Sequence, residues 1–266
     1  MTKMNQNVLF IIDPQNDFMD KPGQPGSLAV PGAYEDMKRL AASIEADAPN
    51  DIVVSMDTHN VMDIAHHSWW VNSEGSNPDV FTIITLDDVR SGKWKTVNPN
   101  EQENALYYLA ELEKGGKQCL CIWPDHCIDG TWGHDVTDVL AIALANWEKK
   151  TGRKVTYVYK GENPHTEHYS ALKAEVPWND NGYSELRTEL VNNLASYEVV
   201  NIAGEAKSHC VANTVYDLVN YFNDNGVKSK VQIMNNCMSS VTGFEHLSQA
   251  FDSWVASQKN MKMVNV

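Results

Sequence analysis

Four short apolar runs in this chain end in residues that can do chemistry. Residues 8–12 run into Asp13, followed by Pro14-Gln15-Asn16-Asp17-Phe18. Residues 52–56 run into Asp57-Thr58-His59, and residues 155–159 into Lys160. Residues 199–203 run into Gly204-Glu205-Ala206-Lys207-Ser208-His209-Cys210. Cys210 opens an amphipathic pattern, where unpaired N–H groups and the helix dipole favour a thiolate. The same N–H groups can hold an oxyanion that develops in acyl transfer. On that segment alone, a buried structural cysteine at a helix start explains the residue equally well. Asp13 and Lys160 supply what a thiol nucleophile needs. A carboxylate can take the thiol proton and return it to a leaving amine, and a lysine offsets the cost of keeping two anions close. Taken singly, Asp13 reads as a cap and Lys160 as a solvated residue after a strand.

A second constellation is suited to a divalent metal. Asp57 and His59 are two residues apart, so on an extended chain both side chains point to one side. His126, in Trp123-Pro124-Asp125-His126-Cys127, is a candidate third ligand, and His66 or His67 a further one. One carboxylate with two or three imidazoles suits zinc, iron or manganese and leaves positions open for water or substrate.

These residues need a frame that brings strand ends together. Further apolar runs occupy 231–234 and, more weakly, 261–266, while helical spacing covers 34–44, 136–147, 186–194, 211–222 and 244–254. In the fourth of these, Val211, Val215, Leu218, Val219 and Phe222 share one face. Continuously apolar strands separated by helices predict an α/β fold: a three-layer, doubly wound, mostly parallel sheet of about six strands. In such sheets ligands bind beyond the carboxyl ends of the strands, where Asp13, Asp57, Lys160 and Cys210 would meet. The chain reads as a single domain over 1–266 with an insertion or lid at about 71–116. That segment suggests a short hairpin over 81–94 and a helix over 101–114. Trp69 and Trp70 are expected to pack beneath it.

Composition narrows the function classes. With 21 Lys and Arg against 35 acids, the formal charge is −14, which argues against nucleic-acid binding. No stretch approaches the roughly 20 apolar residues that span a bilayer. The polar start at 1–7 carries no secretory signal, and the five cysteines lack a disulfide-framework spacing. A cytoplasmic protein with free thiols is expected, with Cys119 and Cys121 as small buried residues on a strand. No Gly-x-Gly-x-x-Gly follows the first strand, which argues against a dinucleotide-dependent oxidoreductase.

Together these motifs resemble the isochorismatase-like cysteine hydrolases, and the nicotinamidase/pyrazinamidase group most closely. The resemblance rests on Asp13-Pro14-Gln15-Asn16-Asp17-Phe18, Asp57-Thr58-His59, His66-His67-Ser68-Trp69, Trp123-Pro124-Asp125-His126-Cys127, Lys160-Gly161 and the stretch from Gly204 to Val211. They stand in family order and span most of the chain. The resemblance implies a catalytic triad of Asp13, Lys160 and Cys210, with an oxyanion hole from the N–H groups of Ala206 and Cys210. It also implies a cis bond between Glu205 and Ala206. Asp57, His59 and His126 would bind a divalent metal, zinc before iron or manganese, with His66 as a further ligand for which His67 competes. Phe18 and Trp123 would line a ring pocket. The implied reaction is hydrolysis of a small carboxamide, nicotinamide first, by a homo-oligomer.

Alternatives are a different small amide, a vinyl-ether hydrolase, against which Cys210 counts, and a non-catalytic metal- or ligand-binding relative. Within the nucleophile turn, Lys207-Ser208-His209 replaces the family's more usual Thr-Asp-Tyr, and Lys207 is expected to point to water. Glu162, His165, Glu167 and His168 are expected to be solvated loop residues.

Overall fold

Each of the six apolar runs becomes a strand of one sheet. The computed structural model describes residues 5–116 and 118–266, so positions 1–4 of the polar start lie outside the described residues. In chain order the strands are β1 Asn5–Ile12, β2 Asp51–Asp57, β3 Trp70–Val71, β4 Ile83–Ile84, β5 Lys95–Thr96, β6 Leu120–Cys121, β7 Thr156–Lys160, β8 Tyr197–Gly204, β9 Lys230–Met234 and β10 Met261–Val264. The helices are α1 Ala33–Ala46, α2 Leu86–Arg90, α3 Gln102–Lys114, α4 Asp138–Thr151, α5 Thr188–Leu194, α6 Ala212–Asp224 and α7 Glu245–Ser257. The main sheet has the order β10-β9-β8-β1-β2-β7, with every neighbouring pair parallel. A central parallel strand is covered on both faces, which is why β1 is apolar throughout its second half and why Val8, Phe10, Ile11 and Ile12 are fully buried.

The crossovers explain the layers. The steps β1-α1-β2 and β2-α4-β7 move toward one edge of the sheet, whereas β8-α6-β9 and β9-α7-β10 move toward the other. Right-handed crossovers therefore put α1 and α4 on one face and α6 and α7 on the opposite one. Consistent with this, α1 and α4 pack on each other. The apolar face of α6 is fully buried at Val215, Leu218, Val219 and Phe222, each contributing roughly 1.5–3 kcal/mol by leaving water. Sheet order reverses between β1 and β8, the switch point at which a ligand crevice opens.

The segment 71–116 differs from the expectation in one respect. The hairpin over 81–94 does not form. Thr85 and Asp88 make a reciprocal capping box that starts α2, so the chain turns helical where a return strand was expected. β4 pairs with β6 instead, and β5 with β3, both antiparallel. The expected helix appears as α3, which buries Ala105, Tyr108, Leu109 and Leu112 in the same hydrophobic cluster as the main sheet. Trp70 is fully buried and its Nε1 donates to the Ile64 carbonyl, so it packs as expected. Cys121 is buried on β6, but Cys119 lies just before that two-residue strand and is exposed, against expectation. Among the described residues, no helix is long and apolar enough to cross a membrane.

Candidate active site

Two glycines allow the strand ends to converge. At Gly204 (φ +119°) a Cβ would lie 2.0 Å from the Ile12 carbonyl oxygen, so only glycine lets the end of β8 close on the end of β1. Gly204→Ala is expected to destabilise the fold by about 3 kcal/mol or more, read as a lowered urea midpoint. At Gly161 (φ +84°) a Cβ would lie 3.0 Å from Asp57 Oδ1, which explains the glycine after Lys160.

Asp13 is fully buried and takes a left-handed backbone conformation (φ 44°) at the end of β1. Its Oδ1 accepts a hydrogen bond from Ser55 Oγ at 2.6 Å. Lys160, fully buried at the end of β7, stands between the acids and the thiol. Its Nζ lies 3.0 Å from Asp13 Oδ2, 2.8 Å from Asp57 Oδ1 and 3.7 Å from Cys210 Sγ, and donates to the His168 carbonyl at 2.7 Å. Cys210 is buried in a wide π-helical turn, Lys207–Val211, that leads into α6. The peptide bond between Glu205 and Ala206 is cis. Asp13, Lys160 and Cys210 therefore meet at one point.

Electrostatics decide the resting protonation. Burial would lower the Lys160 ammonium, but Asp13, Asp57 and the thiol outweigh it and hold it well above the usual lysine range. Burial would raise Asp57, yet Lys160 and His59 hold it well below the usual carboxylate range. Burial raises Asp13; Lys160 and Ser55 pull it back only in part, while Asp57 adds to the rise. Burial also pushes the Cys210 thiol well up, with Lys160 opposing and the two aspartates adding to it. The dipole argument for a resting thiolate thus loses to burial and to two nearby anions. A protonated thiol beside a carboxylate of raised proton affinity is suited to proton transfer at the moment of attack.

The histidines gather on the other side of Asp57. Ligand atoms of His59, His66 and His126 lie within 4.8 Å of one another. His59 Nδ1 is held by Asp63 Oδ2 at 3.0 Å, leaving Nε2 buried without a hydrogen-bond partner and 3.4 Å from Asp57 Oδ2. His126 Nδ1 is held by the Pro124 carbonyl at 2.8 Å, leaving Nε2 3.6 Å from the same oxygen. A carboxylate or carbonyl on one ring nitrogen with the other left bare is how metal-binding imidazoles are oriented. The donors fit a divalent ion. His66 is fully buried within the cluster, whereas the His67 side chain is 45% exposed and directed at Asp125. His66 is thus the one of the pair placed to join Asp57, His59 and His126.

A narrow cavity opens on Cys210 and is lined in part by Phe18, Trp123, His126, Glu167, Tyr169, Ala206 and His209. Phe18 packs edge-on against His126, and Trp123 against His209, so the expected ring-pocket residues are brought together with the thiol. Burial, with His246 adding, lowers the His209 imidazole to about 4, so this side chain is neutral at pH 7. A larger open groove between Leu9, Ile44, Gln232 and Val266 shares no residue with the triad or the histidines.

Three expectations are corrected. Lys207 does not point to water: its Nζ contacts Asn235 Oδ1 at 2.9 Å and Asp252 Oδ1 at 2.8 Å, because α7 and the loop after β9 supply acceptors behind the turn. Glu167 and His168 are buried rather than solvated, since α3 covers their loop and Tyr108 Oη accepts from the Glu167 N–H. His165 is half-buried, stacked on Trp178 and bonded to Glu101. Glu162 alone is exposed as expected, with the Tyr183 hydroxyl donating to it.

Several supporting residues were not singled out from sequence. Gln15 clamps β2 to β1: its Nε2 donates to the Asp57 carbonyl at 2.7 Å and its Oε1 accepts from the Asp57 N–H at 2.7 Å. Asp17 accepts from the N–H groups of Cys127 and Ser27, tying the block at 123–127 to the first motif. Asp63, four residues after His59, carries a spacing signal that was available. Tyr169 comes from an irregular loop and carries none.

No family model matches the chain. It is 27% identical over 211 residues to the nicotinamidase of Saccharomyces cerevisiae, a match covering 77% of this chain and 78% of the relative. The structure of the yeast nicotinamidase aligns with a TM-score of 0.66 at 20% identity, covering 98% of this chain and 100% of the other. The pyrazinamidase of Pyrococcus horikoshii, solved in complex with zinc, aligns with a TM-score of 0.53 at 16% identity, covering 98% and 99%. The resemblance read from the motifs and the expected fold class are both borne out.

Proposed function

We propose that this chain, built on the fold shared with the nicotinamidases and pyrazinamidases, hydrolyses nicotinamide to nicotinate and ammonia through a thioester on Cys210. The observation that carries the reading is Lys160, fully buried between Asp13 and Cys210, with Cys210 lining a cavity whose wall includes Phe18, Trp123 and Tyr169. The chain's own residues account for each proton. Asp13 accepts the thiol proton as Sγ attacks the amide carbon, and the N–H groups of Ala206 and Cys210 receive the developing oxyanion. When the tetrahedral adduct collapses, Asp13 returns the proton to the departing nitrogen and ammonia leaves. Asp13 then removes a proton from water, which cleaves the thioester and frees the acid and the thiol. Lys160 keeps Asp13 anionic between these transfers. Phe18 and Trp123 bracket the ring. Asp57, His59, His126 and His66 would hold a divalent ion, zinc before iron or manganese, which supplies a Lewis-acidic anchor for the pyridine nitrogen.

Removal of the ion is expected to raise KM for nicotinamide and to lower Tm, with both restored by zinc. At zinc about 100-fold above its Kd the gain is about 2.7 kcal/mol, read by differential scanning calorimetry.

A second reading, a different small carboxamide, draws on one observation: His209 Nε2 is buried in the cavity wall without a hydrogen-bond partner. Ammonia release from nicotinamide, benzamide and ring-substituted carboxamides by zinc-replete protein separates the two. Nicotinamide leading the panel supports the first reading, and a substituted carboxamide leading it supports the second. No release from any of them overturns both.

In this reading residues 71–116 are an insertion within one domain over 1–266 that backs the cavity, since Phe81 packs on Trp123. A homo-oligomer and a cytoplasmic location belong to the same reading, and light scattering and cell fractionation test them.

A further inference from the structure

Glu205 stands one residue before the oxyanion turn and is fully buried. Its Oε2 accepts the Ser239 N–H at 3.0 Å. From α1, Asp36 Oδ2 accepts the hydroxyl of the same serine at 2.5 Å, and Asp36 Oδ1 is paired with Arg39. Two buried carboxyl groups therefore grip Ser239 from opposite elements. Glu205 Oε1 is buried with no hydrogen-bond partner, and the Asp36 carboxyl bears on Glu205 through the serine that both hold. Two anions gathered on one residue out of water are costly. One proton between them removes that repulsion and satisfies the orphaned oxygen.

We propose that Glu205 and Asp36 share one proton, and that this acid pair is the positioning device that holds the Lys207–Val211 turn, and with it Cys210, against Asp13. Burial pushes the Glu205 carboxyl well above its usual range, and the Asp36 charge adds to it, which agrees with the shared proton. The backbone makes the link to the site. The Glu205 N–H donates to the Ile12 carbonyl at 2.8 Å, one residue before Asp13. The Ser239 carbonyl accepts the Lys207 N–H at 2.7 Å, and the Cys237 carbonyl accepts the Gly204 N–H at 3.0 Å. Displacing the acid pair thus displaces the base and the nucleophile turn together.

The kinetic arm of the test rests on the amidase reading, whereas the infrared and alkylation arms do not. At neutral pH, the infrared difference spectrum of wild type minus Glu205→Gln is expected to show the carbonyl band of a protonated carboxylic acid. Glu205→Ala is expected to lower kcat by about 10- to 100-fold with KM little changed, and to slow alkylation of Cys210 by iodoacetamide, followed by peptide mapping. Glu205→Gln, which keeps the shape and can donate to Asp36, is expected to restore most of both. The proposal is overturned if the protonated-acid band is missing, if Glu205→Ala matches wild type in kcat and alkylation, or if Glu205→Gln fails as badly as Glu205→Ala. Should Glu205→Ala not fold, the band and the Glu205→Gln alkylation rate decide the matter. A protein that releases no ammonia from any carboxamide but meets the infrared and alkylation expectations refutes the amidase reading alone.

Discussion

Cys210→Ala is expected to abolish ammonia release, lowering kcat by about 10⁴-fold or more while leaving the fold intact. The thiol is the group placed to attack: it lies 3.7 Å from Lys160 Nζ, lines the cavity and sits in the turn that leads into α6. Replacing Sγ by hydrogen removes one bond-forming atom and leaves a void smaller than a methyl group, so packing changes little. The cavity wall of Phe18, Trp123 and Tyr169 is untouched, and nicotinamide should still bind. Steady-state ammonia release together with equilibrium binding of nicotinamide to the variant checks this. Loss of release with binding retained is the expected pair of results. A variant that turns over at the wild-type rate would remove Cys210 from the chemistry.

Lys160→Met carries the second large effect, and on stability as well as rate. Lys160 compensates two fully buried carboxylates at 3.0 and 2.8 Å. Removing one partner of a buried ion pair leaves charge without compensation, at a cost of about 3–5 kcal/mol. Part of that cost is avoided if the acids take up protons, but an Asp13 already carrying a proton cannot receive the one on the thiol. The expected outcome is therefore a lowered Tm together with a kcat reduced by at least about 10²-fold. Chemical denaturation and ammonia release, measured on the same preparation, test the two effects. A stable variant with ordinary turnover would mean that Lys160 is a bystander.

The sheet and the meeting of Asp13, Lys160 and Cys210 at its rim were legible because each depends on a strong local signal. A continuously apolar run such as 8–12 has no stable place except a covered parallel strand, and the residue that ends it must fall on the carboxyl rim. Asp13, Asp57, Lys160 and Cys210 follow from that rule. The choice between His66 and His67 did not, because adjacent residues differ only in rotation, which the turn at His67–Trp69 decides. Lys207 was misread because its acceptor Asp252 is 45 residues away in sequence. Glu167 and His168 were misread because burial of an irregular polar loop depends on α3 packing over it. Gln15 and Ser55 act through contacts between neighbouring strands, which a single segment does not reveal. The hairpin over 81–94 failed for the opposite reason: the Thr85–Asp88 capping box was present in the sequence and outweighed the β-prone residues around it.

The most direct test is acid-quenched intact-mass spectrometry of zinc-replete protein during turnover of nicotinamide, with peptide mapping of any adduct. The account predicts a nicotinoyl thioester on Cys210 that appears before steady state and disappears as nicotinate accumulates. Ammonia release with no adduct at any time, continuing unchanged in Cys210→Ala, would contradict it and require direct attack by water.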